Sequence, residues 1–284
     1  MPPGLSQARL RECLLTPAGP WRQVEALATV DSTNAWSMRD PRPWRVVAAA
    51  EQSAGRGRRG RDWMTPAGSS VAVSLTVPMP ADPAGWGWLP LLTGLAARDA
   101  LAEVSGTPHF ALKWPNDVLA RDRAPSPPEG PEWGKLCGIL CETTGSGLVV
   151  AGIGVNVSVP RSALPVASAT SLRLLGHDVE REDVVVALAR AFATWHSQWY
   201  AGGAGLDAVR RAYRRHCATL GTRVRIHLGV AGSAGGDEEV VTGRAVDVDD
   251  SGEIVIQTTA GVRRFAAGDV VHLRPGARTD ASTS

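Results

Sequence analysis

The first two thirds of the chain combine short, continuously apolar runs with longer segments of helical periodicity. Apolar runs at 45–50 and 71–77 predict buried strands. Leucines and alanines recur near helical spacing over 88–103, and the strongest one-sided apolar pattern spans 183–200. We expect a further helix over 206–217. Strands and helices therefore contribute to the same part of the chain.

Three more strand-like segments follow the first long helix. They are 110–113 with an extension to 119, 136–142, and 148–157. The first two are joined by a proline-rich connection at 121–133, which excludes regular structure and predicts an exposed insertion. Gly-Ser-Gly at 145–147 predicts a hairpin turn between the last two.

Beyond residue 220 the apolar period changes from helical to alternating. Short strands are predicted at 223–228, 240–248, 254–257 and 262–265, with a turn at 249–252 and a flexible loop at 229–239. Five short strands in this stretch would make a small barrel. The expected units are a leader at 1–30 with one possible helix, a main domain at 31–218, the barrel at 219–275 and a disordered tail at 276–284.

Composition limits the classes of function. The 284 residues are 44% hydrophobic and 20% charged, as in folded globular chains. The formal net charge is only +2, which disfavours non-specific nucleic-acid binding. No apolar run approaches the ~18 residues that a membrane span needs. Arg9, Arg11 and Glu12 interrupt the segment where a signal peptide would be apolar, so we expect a cytoplasmic protein.

Four cysteines do not make a disulfide scaffold in a chain of this length. Cys137 and Cys141 lie on one predicted strand, ~13 Å apart, which is too far for a disulfide. A zinc pair is conceivable, but no second Cys/His pair stands at ligand spacing, and the six histidines are scattered. We expect small buried thiols and assign no structural metal.

A Gly/Arg-rich segment, GRGRRGR at 55–61, carries the first chemical signal. Glycines let backbone N–H groups approach an anion, and guanidinium groups bind carboxylate and phosphate with paired donors. The segment therefore predicts a polyphosphate-binding loop. An RGG-like nucleic-acid tract and a merely solvated basic loop are the alternatives. It is not a Walker loop, since GxxxxGK[ST] is absent.

Other polar groups stand at the ends of predicted strands. Lys113, before Trp-Pro-Asn-Asp, could direct its ammonium into a cleft or lie on the surface, and Lys135 is equally ambiguous. Residues 32–34 (Ser-Thr-Asn) could line a site or simply cap a helix. GIGVN at 152–156 lacks the third Rossmann glycine, so its glycines more plausibly let a ligand or another backbone pass close to a strand. No Ser/His/Asp set appears, which favours chemistry that needs cations more than a base.

Taken together and in this order, these segments resemble the biotin protein ligases. The motifs that carry the resemblance are DSTN (31–34), EQSAGRGRRGRDW (51–63), KWPNDV (113–118), GKLCGIL (134–140) and GIGVN (152–156). The resemblance covers roughly 24–275 and includes the family's C-terminal SH3-like domain. The lipoate ligases are similar in fold but carry different motifs.

The resemblance implies an α/β (α+β) catalytic domain on a mixed sheet, followed by a small SH3-like barrel. It implies that biotin reacts with ATP, accompanied by Mg²⁺, to give biotinyl-5′-AMP, and that biotin then passes to a lysine of a biotin carboxyl carrier domain of an acyl-CoA carboxylase. Biotin's carboxylate is already ionised at neutral pH, so the first attack needs cations and positioning rather than a base.

The resemblance also implies residue roles. Arg56 and Lys113 would be catalytic. The biotin-binding residues would be Ser32, Thr33, Asn34, Gln52, Arg56, Gly57, Arg58, Lys113 and Gly138. The ATP-binding residues would be Arg56, Arg58, Arg61, Trp63, Lys135 and Asn156. The loop at 53–62 is expected to order when ligand binds.

Three departures and two alternatives qualify this hypothesis. Only 30 residues precede DSTN, so we expect a monofunctional ligase without a DNA-binding winged helix. The insertion at 121–133 is expected to be peripheral, and Cys137 to be a packing substitution. A lipoate or octanoate transferase would have an apolar, extended pocket without the donors of Gln52 and Asn34. A nucleic-acid-binding regulator would bind DNA or RNA in a salt-sensitive manner without turning over ATP.

Overall fold

The structure is a computed structural model that describes residues 4–17, 19–63, 65–121, 133–228 and 239–273. Nearly all of the proline-rich connection at 121–133 and of the loop at 229–239 lies outside the described residues, as does the whole tail at 276–284. The predictions for those three segments therefore stay predictions.

A seven-stranded mixed sheet forms the centre of the main domain. Its strands are β1 (Gln23–Leu27), β2 (Arg45–Ala49), β3 (Ser70–Pro78), β4 (Phe110–Lys113), β5 (Asp117–Ala120), β6 (Gly134–Thr143) and β7 (Leu148–Asn156). Their order across the sheet is β1-β2-β3-β7-β6-β5-β4. The pair β1/β2 is parallel and all other neighbours are antiparallel, which confirms the expected mixed sheet.

Five helices accompany the sheet in the described chain. They are α1 (Gln7–Leu14), α2 (Thr33–Arg39), α3 (Leu89–Ser105), α4 (Arg181–Ala201) and α5 (Gly203–His216). Helices α3 and α4 pack on each other and on the sheet, where their fully buried side chains include Leu92, Leu95 and Phe192. None of the described helices has the length and apolar character needed to traverse a bilayer.

The two faces of the central strands carry different side chains. One face presents large apolar residues such as Val73, Leu75 and Ile153 to the core. The other face presents small residues: β3 contributes Ala72 and Ser74, which lie opposite Gly154 and Gly152 of β7. Alternation along each strand separates the two sets. The small-residue face is thus the one with room for something other than core packing.

The segment expected to be a leader is part of this architecture. Strand β1 pairs with β2 at the sheet edge, and the sequence pattern did not predict it. Leu10 and Leu14 of α1 are fully buried, and Arg9 forms an ion pair of 2.5 Å with Asp183 at the start of α4. The segment before residue 31 therefore contributes core residues and an edge strand.

The predicted strand from 110 to 119 is wrong as a continuous element. The chain turns at 114–116, so that β4 and β5 form a tight antiparallel hairpin in which Lys113 lies opposite Asp117. Pro115 removes a backbone donor and constrains the residue before it, which favours a turn at this point. The turn brings the charged residues at both of its ends to one edge of the sheet.

The C-terminal unit is a five-stranded antiparallel sheet. Its strands are β8 (Arg223–His227), β9 (Val240–Val248), β10 (Ile254–Thr258), β11 (Gly261–Phe265) and β12 (Asp269–His272), in the order β11-β10-β9-β8-β12. Four of these strands lie where the alternating pattern predicts them. The pattern also predicts a fifth strand but does not place it, and the structure shows it to be β12. The sheet is consistent with the expected SH3-like domain.

Two buried tryptophans join the small sheet to the main domain. The indole N–H of Trp88 donates to the Asp250 carbonyl at 2.9 Å, and that of Trp114 donates to the Gly252 carbonyl at 3.1 Å. Both acceptors lie in the turn between β9 and β10. Since Trp114 directly follows Lys113, the small sheet is fixed beside the β4–β5 hairpin.

Candidate functional site

A cavity of about 410 Å³ opens between the small-residue face of the sheet, the start of α2 and the Gly/Arg segment. This volume is in the range of small-molecule sites, roughly 300–1,000 Å³. All thirteen residues assigned above line it: Ser32, Thr33, Asn34, Gln52, Arg56, Gly57, Arg58, Arg61, Trp63, Lys113, Lys135, Gly138 and Asn156. The structure therefore brings the separate motifs together, while the role of each residue stays a prediction.

The start of α2 forms the polar end of the cavity. Ser32 is the N-cap, and its hydroxyl accepts a hydrogen bond from the Ala35 N–H at 3.4 Å. Capping therefore explains Ser32 but not its two neighbours. The backbone N–H of Thr33 donates to the Gln52 side-chain carbonyl at 2.8 Å. The Gln52 amide donates in turn to the Thr65 hydroxyl at 3.1 Å.

Asn34 ties this polar end to β6 and β3. Its amide donates to the Leu140 carbonyl at 3.0 Å and to the Glu142 carboxylate at 2.8 Å. Its side-chain carbonyl accepts from the Ser74 hydroxyl at 2.6 Å. A buried side chain with all these partners is held in one orientation. The polar end is thus preorganised by strands far apart in sequence.

Three glycines form the floor of the cavity. A Cβ at Gly152 would lie 2.3 Å from the Asn34 side-chain oxygen. A Cβ at Gly138 or Gly154 would lie 2.7 or 2.2 Å from the indole of Trp63. We expected the glycines of GIGVN to admit a ligand or another backbone. In the structure they admit two side chains, which themselves line the cavity.

The Gly/Arg segment is a narrow hairpin over the cavity. Arg56 and Asp62 form an antiparallel bridge, and the Trp63 N–H donates to the Gly55 carbonyl at 2.8 Å. A Cβ at Gly55 would lie 2.3 Å from the Trp63 carbonyl oxygen, so the closing strands require glycine there. This compact turn differs from an extended RGG-like tract.

Two of its arginines contact β6 and the turn between β4 and β5. Arg56 contacts the Glu142 carboxylate at 3.2 Å, and Arg58 donates to the Asn116 side-chain oxygen at 3.4 Å. Burial lowers the pKa of the Arg58 guanidinium. No ion pair of Arg58 occurs among the described residues, so this cation is available to an incoming anion.

The remaining two arginines face the small sheet. Arg59 and Arg61 both pair with the carboxylate of Asp269, at 3.2 and 2.9 Å. Arg61 still lines the cavity, whereas Arg59 does not. The four cations of the motif therefore divide between the cavity and the second domain.

The two lysines differ in their surroundings. Burial lowers the pKa of Lys113, which has no carboxylate within ion-pair distance in the described part of the chain. The Lys135 ammonium pairs with Asp117 at 2.7 Å and lies 5.5 Å from the centre of the Trp63 ring. Lys113 is therefore a half-buried cavity residue, not the surface lysine of the alternative interpretation.

Asn156 holds the far wall of the cavity. It is buried at the end of β7, and its amide donates to the Thr170 carbonyl at 3.0 Å. Ser168 and Ala169, on the same wall, contact the backbone of Lys135, whose N–H donates to the Ser168 carbonyl at 2.7 Å. Asn156 thus supports the wall that faces the Lys135 strand.

The sequence analysis did not single out several residues that shape the site. Asn116 and Asp117 lie in the quoted KWPNDV motif, which was the available signal for them. Glu142 ended a predicted strand and Ser74 lay inside another, with no local feature to mark them. Asp269 is more than 200 positions away from the arginines it contacts.

The structure gives no support to a metal centre made of side chains alone. Within the ranges the structure describes, no three His, Cys, Asp or Glu side chains group as metal ligands. All four cysteines are free, and burial raises the pKa of the Cys137 thiol. Cys137 is therefore an inert core side chain, as the packing interpretation expects.

The arrangement suits an acid that reacts with a polyphosphate. Arg56, Arg58, Arg61, Lys113 and Lys135 surround one cavity, and uncharged hydrogen-bonding groups lie at its α2 end. Fixed cations in a partly buried site stabilise developing negative charge. A small molecule with a polar head and a carboxylate would find a partner for each of these ends within the one cavity.

Comparisons with known proteins agree with this geometry. The biotin/lipoate A/B protein ligase family matches residues 26–158, and the biotin protein ligase C-terminal domain matches 230–273. The biotin–[acetyl-CoA-carboxylase] ligase of Mycobacterium tuberculosis is 36% identical over 282 residues, covering 96% of this chain and 97% of that one. The enzyme of the same name from Paracoccus denitrificans is 34% identical, covering 86% and 98%.

Solved structures show the same fold. Biotin protein ligase from Aquifex aeolicus in complex with biotin and ATP gives a TM-score of 0.69 at 23% identity, over 90% of this chain and 100% of that one. The Leishmania major enzyme in complex with biotinyl-5-AMP gives 0.57 at 24% identity, over 87% and 99%. Together with the near full-length sequence matches, these findings establish that the chain belongs to the biotin/lipoate A/B protein ligase family, among its biotin protein ligases.

Proposed function

We propose that this protein activates biotin with ATP and transfers it to a lysine of a biotin carboxyl carrier domain of acetyl-CoA carboxylase. The observation that carries the proposal is the meeting of Arg58 and Lys113 at one cavity with a polar end. The two residues come from different motifs, both are half-buried cations, and burial lowers the pKa of each. The names of the similar proteins from Mycobacterium tuberculosis and Paracoccus denitrificans support the same substrates.

Biotin would lie with its ureido ring at the α2 end of the cavity. Ser32, Thr33, Asn34 and Gln52 supply hydroxyl and amide groups there, held by the network around Ser74 and Glu142. The glycines at 138, 152 and 154 let the Asn34 and Trp63 side chains lie close to the sheet, which keeps these two side chains at the cavity wall rather than across it. A purely apolar acyl chain would gain no hydrogen bond from the hydroxyl and amide groups at this end, which disfavours lipoate or octanoate.

The first step would join the biotin carboxylate to the α-phosphate of ATP. A carboxylate oxygen attacks phosphorus, the bond to the β-phosphate oxygen breaks, and pyrophosphate leaves with the electron pair. The carboxylate is already ionised near neutral pH, so no base is required. Lys113, Arg56 and Arg58 would hold the two anions together and stabilise the charge that develops on the phosphoryl oxygens. Arg61 and Lys135 would contact the remaining phosphates.

Trp63 and Asn156 would border the nucleotide. The hairpin over the cavity would also exclude water from the biotinyl-5′-AMP anhydride. In the second step the carrier lysine attacks the acyl carbon, an amide forms and AMP leaves. The lysine attacks as the neutral amine, and the one proton that it loses passes to water.

Mg²⁺ fits this site as a companion of ATP rather than as a resident ion. Mg²⁺ usually takes one or two protein carboxylates together with substrate phosphates and water. Asp62 and Asp117 are the carboxylates that line the cavity among the described residues, and either would hold the ion beside the phosphates. The ion would neutralise part of the triphosphate charge.

The proposal is tested with the full chain, labelled biotin, MgATP and an acetyl-CoA-carboxylase carrier domain. We expect covalent label on the carrier and none on a carrier whose target lysine is changed to arginine. Unlabelled lipoate or octanoate in excess should not suppress the labelling. A competent carrier that stays unlabelled in the presence of active protein would refute the proposed function.

A further inference from the structure

The tip of the Gly/Arg hairpin has a conformation that the proposed chemistry does not explain. Arg59 occupies the left-handed region at φ 58° and ψ 36°, which is costly for a residue with a Cβ. The following residue, Gly60, also has a positive φ of 72°. A non-glycine residue in this region needs support from its surroundings.

That support comes from the small sheet. The Arg59 guanidinium donates to the His227 carbonyl on β8 at 3.1 Å and pairs with Asp269 on β12 at 3.2 Å. Its side chain is only 15% exposed and that of Asp269 is 29% exposed. The second carboxylate oxygen of Asp269 forms an ion pair with Arg61 at 2.9 Å. One carboxylate therefore binds two of the four arginines of the hairpin.

Strand β12 also contacts the segment that carries Lys113. The ring nitrogen Nε2 of His272, also on β12, lies 3.1 Å from the Thr219 hydroxyl. That hydroxyl accepts the backbone N–H of Trp114, next to Lys113, at 3.1 Å. Both cation-bearing segments of the cavity thus contact β12, directly or through one residue.

Charge balance makes Asp269 different from an ordinary surface carboxylate. Arg58, Arg59, Arg61, Lys113 and Lys135 are close enough to repel one another. The negative charge of Asp269 favours the protonated forms of both Arg58 and Lys113, although burial outweighs it and lowers the pKa of each. Removal of this carboxylate would leave the hairpin tip with a strained residue and unbalanced positive charge.

We propose that Asp269 is a positioning residue that anchors the Gly/Arg hairpin in its closed form over the cavity, so that the C-terminal sheet forms part of the active-site frame. The anchoring itself is independent of the reaction, whereas its catalytic consequence rests on the proposed function. Asp269 touches no cavity ligand directly, since it acts through Arg59 and Arg61.

Limited trypsin digestion without substrates tests the anchoring. Trypsin cleaves after arginine, so opening of the hairpin frees the backbone that follows Arg56 and Arg58 for cleavage. Asp269→Asn should accelerate cleavage there by about five- to thirty-fold, because cleavage follows the population of the open form. Glu239→Gln is the matched control, since it removes an exposed partner of Arg263, 2.7 Å away on the same sheet. Mass spectrometry assigns the cleavage sites, and other sites in the digest give an internal reference.

Equal cleavage rates in Asp269→Asn and Glu239→Gln would overturn the proposal. If Asp269→Asn also unfolds at a lower temperature, Arg59→Gln removes the other side of the same ion pair and leaves β12 unchanged. Faster cleavage after Arg58 in that variant supports the anchor, and an unchanged rate overturns it.

Steady-state biotinylation measures the consequence for the site. Asp269→Asn should raise the KM for ATP and lower kcat, and Asp269→Glu, which keeps the charge, should recover most of the loss. Parental KM and kcat in a rapidly cleaved Asp269→Asn variant would overturn the positioning role. Absence of biotinylation in the parental protein would instead refute the proposed function and leave the trypsin result valid.

Discussion

At the scale of single residues, Lys113 is a half-buried cation without a paired carboxylate among the described residues. Burial of such a charge destabilises the folded state and is retained where it serves binding or catalysis. We expect Lys113→Met to keep or raise the free energy of unfolding. Its rate of biotin-dependent AMP formation should fall about 10²–10³-fold, as when one charge-stabilising donor is removed. Thermal unfolding and the AMP assay check the two effects on the same sample.

Lys135→Met provides the matched comparison. It removes a cation that already has a partner and leaves Asp117, whose side chain is 14% exposed, without its ion pair. An unpaired, largely buried carboxylate is costly, so this variant should lose roughly 1–3 kcal/mol of stability. A Lys113→Met protein destabilised as much as Lys135→Met would contradict the interpretation of Lys113 as an unpaired cation.

His272 predicts how stability depends on pH. Burial, with a smaller contribution from nearby Lys113, lowers its pKa from 6.5 to about 4. The unfolded chain therefore binds this proton at a higher pH than the folded protein does, so the folded state loses stability as pH falls from about 6.5 to about 4. The effect is at most about 3 kcal/mol and smaller where solvent screens the ring.

His272→Gln should flatten this part of the pH profile, measured by denaturant unfolding at a series of pH values. His109→Gln, at an exposed position, is the control. An unchanged slope in His272→Gln would show that other groups cause the acid sensitivity.

At the scale of elements, the glycines of β6 and β7 let side chains lie flat on the sheet. Gly154→Ala places a Cβ 2.2 Å from the Trp63 indole, so the indole has to move into the cavity or away from it. We expect a loss of about 1–3 kcal/mol in stability from overpacking. We also expect weaker biotin binding by isothermal titration calorimetry.

Gly145→Ala is the control because nothing lies within 4 Å of its added Cβ, and the residue belongs to the hairpin between the same two strands. It should bind biotin as the parental protein does. If both alanine variants bind equally well, the glycine floor does not shape the cavity.

Much of the element order could be predicted from the sequence, and the failures have a common cause. Buried strands such as β2, β3 and β7 are continuous apolar runs, and α4 has a long one-sided pattern. Strand β1 reads QVEAL and β12 reads DVVH, which are short edge strands with little pattern of their own. Their pairing comes from a neighbouring strand already in place, β2 or β8. The sequence pattern predicts one strand instead of the β4–β5 hairpin because apolar residues continue on both sides of its turn.

The site shows the same division. Each motif already contains the charged and polar side chains that mark it as functional. Every residue assigned from the motifs lines the cavity. The sequence could not show which charged side chains form ion pairs, because ion pairing depends on the fold. Glu142 meets Arg56 from 86 positions away, and Asp269 meets Arg61 from 208 positions away. Neither carboxylate stands in a motif.

At the scale of the whole molecule, the two sheets are coupled through the turn between β9 and β10. The turn accepts hydrogen bonds from Trp88 and Trp114, and its backbone packs against the segment before α3. A Cβ at Gly87 would lie 2.0 Å from the Ser251 carbonyl oxygen. Such close backbone contact leaves no room for independent movement at this point, so we expect the two domains to unfold together.

Gly252→Ala tests this coupling. Gly252 has φ +87°, and a Cβ there would lie 2.8 Å from the Gly87 carbonyl oxygen across the interface. Gly147→Ala is the matched control, since Gly147 has φ +73° but open space around it. The control carries backbone strain of roughly 1–2 kcal/mol, and each kcal/mol lowers Tm by about 2–4 °C in a chain of this size. Gly252→Ala adds the clash between domains, so its Tm should fall further in a single calorimetric transition. Two separate transitions, of which only one shifts in temperature, would show that the C-terminal sheet unfolds independently. The C-terminal sheet could then be lost from the active-site frame while the main domain stays folded.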